Sequence, residues 1–292
     1  MAAAPFVDAR QVRRAFAKAA PAYGQHDFLV REVDRRMQER LDYVRLEPKQ
    51  IIDLGCSRGA SLTPLMARYP GALALGLDAV PEMLVGEGKA PAWRRWLPFG
   101  RSEGPLLAAA DALAIPCRPG SVDLVWSNLL LHWLDNPLPA LVEAHRALAV
   151  GGLLMFSTFG PDTLKELRSA FGDGYARTQR FTDMHDLGDM LVEAGYADPV
   201  MDMEVLTLTY DDFPSMVADL RAAGSHCAMA ARPRGLTGRG LWQQARQAYE
   251  GLRREGKLPA TFEVVYRHAW KVPPKKIADG RSVIRFDLPR GA

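Results

Sequence analysis

Residues 51–59 read IIDLGCSRG: an apolar run stops at Asp53 and opens into a loop bearing Gly55 and Gly59. A strand that ends at an acid and turns on glycine is built to hold a ligand. Without a Cβ the backbone bends tightly and can lie against a nucleoside, and the next helix presents its free N–H groups. The stretch predicts the first strand and the cofactor loop of an α/β nucleotide-type site. The G-x-G-x-x-G fingerprint of nicotinamide enzymes is not met, because Gly55 and Gly59 are separated by Cys56, Ser57 and Arg58.

Outward from this loop, short apolar runs alternate with helical patterns, which predicts a parallel sheet with helices on both faces. Upstream, 10–46 reads as two helices broken near Pro21, the second with Phe28, Val33, Met37, Leu41 and Val44 as its apolar positions. Downstream come a first strand at 50–54, a helix at 60–69, a second strand at 72–77 and a helix around Met83. A loop at 91–105 leads to a third strand at 106–109 and a fourth at 122–127. A helix at 138–148 then passes through Gly151-Gly152 into a fifth strand at 153–159. After a helix at 182–194, two alternating runs at 203–210 and 261–270 enclose about fifty residues of helix-forming sequence. A plain doubly wound domain joins its last strands by a short hairpin, so this stretch reads as an inserted substrate lobe at the edge of the sheet where ligands bind.

With 292 residues, 48% hydrophobic and 24% charged, the chain suits one large core with a satellite lobe. No apolar run approaches the roughly 18 residues that span a bilayer, and the N-terminus lacks a signal core. A cytoplasmic protein without a membrane partner is expected. Cys56, Cys117 and Cys227 are widely spaced, and the six histidines show no ligand spacing, so no metal is expected. The formal charge of +3 is unevenly placed: 221–257 holds eight Lys/Arg against two acids. That stretch is either a solvated helical face or a docking surface for an acidic partner.

The D-x-G-x-x-x-G form resembles the cofactor loop of the class I S-adenosylmethionine-dependent methyltransferases. The landmarks LGLDAVPEML (75–84), AAADALAIP (108–116), SVDLVWSNLLLHW (121–133) and AHRALAVGGLLMFSTFG (144–160) follow in that family's order. The resemblance implies an α/β fold: a Rossmann-like doubly wound sheet with an N-terminal helical segment and a helical insertion between the last two strands. The corresponding division is a helical lid segment 1–47, a cofactor-binding domain 48–210, a substrate lobe 211–258, a last strand 259–272 and a polar tail 273–292.

By the same resemblance the cofactor is S-adenosyl-L-methionine. Gly55, Cys56 and Gly59 let the backbone approach its methionine part, and Asp53 anchors the loop and faces the amino group. Asp78 with Ala79 receives the ribose diol, Asp111 and Ala112 read the adenine, Met83 walls the base, and Asn128 leaves the fourth strand beside the methyl group. Plainer uses stand beside these: Asp78 as a helix cap, Asp111 as a turn starter, Met83 as core. The chain departs from the family at Ser57, where glycine is common, which sets a Cβ and a hydroxyl where backbone meets cofactor.

Four further segments, FAKAAPAYGQHDFLVREV (16–33), STFGPDTLKELRSAF (157–171), LTLTYDDFPSMVADLRAAGSH (206–226) and ARPRGLTGR (231–239), resemble the malonyl-acyl-carrier-protein O-methyltransferases of biotin synthesis. CSRG (56–59), RFTDMHDLGDML (180–191) and LPATFEVVYRHAWK (258–271) also resemble the methyltransferase-fold arginine hydroxylases of respiratory complex I assembly. A non-catalytic S-adenosylmethionine-binding scaffold is the third reading.

The first reading implies methylation of a malonyl carboxylate on acyl carrier protein, an acidic partner for 221–257, or on coenzyme A. Such a carboxylate, with a pKa of about 4, needs no general base. Tyr23, Asn128 and His132 are then the catalytic candidates, although family members often carry glutamine where His132 stands. Phe16, Tyr23, Trp133 and either Arg221 or Arg232 are the substrate contacts. Nucleic acid is not an expected substrate: Pro116-Cys117 follows the third strand rather than the fourth, and no base-flipping module is recognisable.

Overall fold

In the computed structural model the residues described are 6–85 and 105–273; most of the loop expected at 91–105 and of the tail expected at 273–292 lies outside them. Seven strands among the described residues form one sheet: β1 (Gln50–Leu54), β2 (Leu73–Asp78), β3 (Leu106–Ala109), β4 (Val122–Asn128), β5 (Leu148–Phe159), β6 (Ala197–Tyr210) and β7 (Leu258–Trp270). Their order is β3-β2-β1-β4-β5-β7-β6. The first five run parallel, and β7 is antiparallel to both β5 and β6. The chain begins in the middle at β1, moves out to β3 and returns to β4. This leaves a switch point between β1 and β4, beyond whose carboxyl ends ligands bind in such sheets.

Both faces are covered, as the continuous apolar strands require. Ile51, Trp126 and Met155 pack with Val33, Met37 and Leu41 from α2 (Phe28–Arg40) and the turn after it, whereas Ile52, Val125 and Leu154 pack with Leu141 and Ala144 of α4 (Leu138–Ala147). Adjacent strand residues face opposite ways, so Ile51 and Ile52 belong to different cores. Asp34 of α2 adds a polar tie, accepting the Trp126 indole N–H at 3.0 Å. Phe28 departs from its expected core role: it is 60% exposed and lines the crevice described below.

Between β1 and β2 runs α3 (Leu62–Arg68), and the helix expected around Met83 is a single 3-10 turn, Pro81–Leu84. Strand β5 starts at Leu148 rather than after the glycines, because Gly151 and Gly152 form a bulge inside it. Gly151 has φ +84°, and a Cβ on Gly152 would lie 2.9 Å from the Ala149 carbonyl oxygen. Glycine is needed there to let the strand bend without ending. A short helix, α5 (Lys165–Ala170), was not legible; α6 (Met184–Glu193) falls within its expected span.

The expected insertion is present. Strand β6 is longer than anticipated, beginning at Ala197, and after it α7 (Phe213–Ala222) is capped by Asp212, whose carboxylate accepts the Ser215 N–H at 2.8 Å; α8 (Arg239–Glu250) then returns the chain to β7. Strand β5 pairs with β7 only as far as Phe159 opposite Val264, while β6 and β7 continue together to Tyr210 opposite Leu258. The two-stranded extension of Leu258–Glu263 carries the lobe about 20 Å past the end of the parallel sheet. Helix α1 (Ala9–Ala19) is tied to the lobe: its cap Asp8 accepts the Gln11 N–H at 3.1 Å and the Arg232 guanidinium at 2.9 Å.

Candidate functional site

A crevice of about 760 Å³ opens outside the carboxyl ends of β1, β2 and β4, between the N-terminal segment and the lobe. Its size falls within the usual range for small-molecule sites. The glycine loop forms its floor. Gly55 has φ +73° and Gly59 φ +78°, conformations that favour glycine, and the Gly55 and Cys56 N–H groups both bond to the Leu77 carbonyl, which locks the loop to β2. A Cβ on Gly59 would lie 3.0 Å from Leu107, so this glycine serves packing against β3 and does not line the crevice.

Ser57 also has a positive φ, +48°, which explains why glycine suits this position. The strain is held by a specific bond: the Ser57 N–H donates to Asp78 at 2.8 Å, and the other carboxylate oxygen of Asp78 accepts the Val80 N–H at 2.8 Å. Burial raises the pKa of Asp78, and the two N–H bonds oppose that shift. Asp78 therefore caps its turn and still faces the crevice, combining the two roles the sequence offered.

Asp53 is placed differently from expectation. It is 1% exposed, sits behind the crevice wall, and neither carboxylate oxygen has a hydrogen-bond partner among the described residues. Burial, then the nearby Asp34 and Asp78, push its pKa well above the carboxylate range. Asp111 and Ala112 line the crevice; Asp111 accepts the Leu113 N–H at 3.0 Å and pairs with Arg13 at 2.9 Å, tying α1 to the site. Ala79 and Met83 line it as well, and Met83 packs with Tyr23, Ala19 and Ala20.

Above the end of β4 stand the catalytic candidates. Tyr23 is 5% exposed, its hydroxyl bonds with the Ser57 side chain, and burial pushes its pKa up to about 12. It remains a phenol at neutral pH. His132 is boxed by Trp133, Phe159 and Phe181 at ring separations of 5.0, 4.7 and 5.9 Å, with Nδ1 3.4 Å from the Thr158 hydroxyl; burial lowers its pKa to about 3. The imidazole is therefore neutral. Asn128 lines the crevice but its amide is committed, donating to the Val30 carbonyl at 2.9 Å and accepting from Ser157 at 2.6 Å. Its visible task is to hold α2 and β5 beside β4. Phe16 stacks edge-on to Trp133 at 5.0 Å, closing the top of the crevice.

The two proposed arginines do not reach this space. Arg221 is exposed on the outside of α7, and Arg232 is held by Asp8 and the Met229 carbonyl, so it fastens the lobe to α1. Four cations that sequence reasoning did not assign line the crevice: Arg13, Arg31 and Arg35 are held in ion pairs, whereas Arg58, its guanidinium against Gly24, has none among the described residues. His26, Tyr210 and Asp219 were also missed; they join across the crevice from three separate elements, an arrangement that no local spacing announces.

The residues fit the expected cofactor. Asp78 offers carboxylate oxygens at the strand end that suits a diol, Asp53 leaves two oxygens without a protein donor beneath the loop, and the glycine turn keeps the floor free of side-chain bulk. A family model described as "Methyltransferase domain" matches residues 52–156, and the chain is a class I S-adenosyl-L-methionine-dependent methyltransferase. The malonyl-[acyl-carrier protein] O-methyltransferase of Laribacter hongkongensis is 47% identical, with 98% of each chain covered, and that of Gallionella capsiferriformans is 48% identical, with 96% of each covered. Among solved structures the YcgJ protein from Bacillus subtilis shares the fold at a TM-score of 0.55 and 15% identity, over 83% of this chain and 99% of that one. The chain belongs to the malonyl-[acyl-carrier protein] O-methyltransferase family. These relatives do not favour the arginine hydroxylase reading. No group of His, Cys, Asp and Glu among the described residues is arranged to hold a metal ion, and no helix among them is long and apolar enough to cross a membrane.

Proposed function

We propose that this chain methylates the free carboxylate of malonyl-acyl carrier protein, or of malonyl-coenzyme A, giving the methyl ester that enters biotin synthesis in the cytoplasm. The observation that carries this reading is the 47–48% identity, over nearly the whole chain, to relatives of that name, and the buried Tyr23 and His132 agree with it. Tyr23 is held as a phenol and His132 as a neutral imidazole. Neither is poised to remove a proton, and a nucleophile that arrives already ionised needs no such help. The high identity to relatives of this activity extends over the lobe as well as the cofactor half, which supports the same substrate class.

S-adenosyl-L-methionine, when bound, supplies a methyl group activated by a sulfonium charge. The chain's own residues do the rest. Gly55, Cys56, Asp78, Ala79, Asp111 and Ala112 hold the donor, with Asp53 behind the loop, Met83 and Tyr23 seal it, and the rings of Phe16, Trp133, Phe159 and Phe181 exclude water. Exclusion matters because two opposite charges combine into neutral products, and a dry, aligned pair reacts faster than a solvated one. Tyr23, its hydroxyl beside the Ser57 side chain, is the residue we assign to orient the carboxylate.

The test is rescue of a biotin-requiring strain that lacks its own enzyme for this step, together with mass measurement of purified malonyl carrier protein. Rescue and a gain of one methyl group are expected for the natural sequence and not for Asp78→Ala. Unchanged carrier mass with purified protein, cofactor and substrate overturns the proposal.

A further inference from the structure

Helix α1 has two faces of different character. Ala9, Val12 and Phe16 line the crevice, and Ala15 and Ala19 are buried. Arg10, Arg14 and Lys18 lie four residues apart, form one exposed stripe about 12 Å long, and share the helix with no acidic residue. Among the described residues none of the three makes an ion pair.

The stripe ends at the crevice mouth. There α1 meets the end of α7, where a Cβ on Gly224 would lie 2.9 Å from the Phe16 ring, and Ala223 and Ser225 on either side line the crevice. Arg221, in the last turn of α7, is exposed and also without an ion pair among the described residues. Lys18 and Arg221 converge on His226, where both positive charges add to burial in lowering its pKa. The basic run at 221–257 that drew attention in the sequence is partly neutralised by comparison: Arg232 pairs with Asp8, Arg253 with Glu250 and Lys257 with Asp211.

From this arrangement we infer that Arg10, Arg14, Lys18 and Arg221 form the docking surface for an acidic carrier protein, whose surface carboxylates lie along α1 while its thioester arm enters beside Phe16 and Ser225. The inference rests on the proposed activity and names the partner's landing site. Three cations along α1 and one on α7, without an ion pair among the described residues, raise the encounter rate with an acidic partner and fix its orientation. The seam at Phe16 and Gly224 sits beside them, so a partner on this stripe delivers its arm to the crevice by the shortest route.

The experiment compares malonyl carrier protein with malonyl-coenzyme A as substrates of one full-length preparation. Arg10→Glu, Arg14→Glu and Lys18→Glu combined are expected to raise KM for the carrier substrate by about tenfold or more, leaving kcat and turnover of malonyl-coenzyme A within about twofold. Arg253→Glu, which alters a paired residue of the 221–257 run, serves as control and leaves both unchanged. Equal losses on the two substrates, no loss on the carrier, or a matching loss from Arg253→Glu each overturn the inference. Should the triple variant fail to fold, the natural protein decides: its KM for the carrier substrate must rise between about 50 and 300 mM salt, and a flat response refutes docking by charge. Natural enzyme that methylates neither thioester refutes the activity itself, a result distinct from failure of the docking site alone.

Discussion

His26 Nδ1 stands 3.0 Å from Asp219 Oδ1, joining the N-terminal segment to the lobe across the crevice. The other oxygen of Asp219 accepts the Tyr210 hydroxyl at 2.8 Å, so one carboxylate gathers the N-terminal segment, the end of β6 and α7. The turn that places His26 also places Tyr23 over the glycine loop. The glycine loop and the inserted lobe are thus linked through four residues of chain, 23–26.

Asp219→Ala should loosen this clasp. The pair is partly exposed, which limits its worth, and the loss of both bonds is expected to cost about 1 kcal/mol of closure, or roughly a fivefold rise in substrate KM. Limited trypsin digestion should show faster cleavage at Lys18 and Arg31 in the variant. Unchanged KM and unchanged cleavage would mean that the N-terminal segment stays in place without the clasp.

Asp78→Asn keeps the shape of the carboxylate and removes its charge. Hydrogen bonds to a charged group contribute more than neutral ones, so S-adenosyl-L-methionine affinity should fall by about 10- to 100-fold. Isothermal titration measures this directly, and affinity within twofold of the natural protein would remove Asp78 from the cofactor site.

The buried, neutral His132 makes stability depend on pH. Its folded pKa of about 3 lies below the ordinary 6.5, so between these values the unfolded chain binds the proton and the folded chain does not. The contribution of neutral His132 is complete above pH 6.5 and is lost as pH falls toward 3, at up to about 1.4 kcal/mol per pH unit. His132→Gln should flatten the fall in Tm between about pH 6.5 and 5. A variant whose Tm falls as steeply as that of the natural protein would assign the acid sensitivity elsewhere.

Gly59→Ala and Gly120→Ala separate backbone strain from crowding. Both glycines have positive φ, +78° and +67°, but a Cβ meets Leu107 at 3.0 Å in the first and open space in the second. Gly120→Ala should cost about 1 kcal/mol, and Gly59→Ala about 1–2 kcal/mol more because the Leu107 side chain must give way. Denaturant unfolding of the pair checks the difference; equal costs would show that Leu107 yields freely.

Much of the fold was legible because its signals are local. The first strand, 50–54, and the third, 106–109, coincide with β1 and β3, since each is a short apolar run bounded by turn residues. The start of β5 was misplaced because Gly151-Gly152 carries the signature of a turn, and only the ladder beside β4 reveals a bulge. In the site, Gly55, Cys56, Asp78, Ala79, Met83, Asp111, Ala112, Asn128, His132, Trp133, Phe16 and Tyr23 do converge on one crevice. Motif spacing places residues on a known loop or strand end, and that sufficed for these. It did not suffice for Arg221 and Arg232, whose reach depends on helix orientation, nor for His26 and Asp219, 193 residues apart, whose meeting is a product of the tertiary fold.

Strand β7 is the last strand of the described chain, yet it lies between β5 and β6. During synthesis the ribosome releases β6 and the entire lobe before the strand that attaches them to the sheet exists. Until Leu258–Trp270 emerges, the hydrogen-bonding edge of β5 stays bare, and such edges recruit other chains. Truncation upstream of Leu258 therefore removes an interior strand and leaves a fragment with a bare sheet edge open to aggregation.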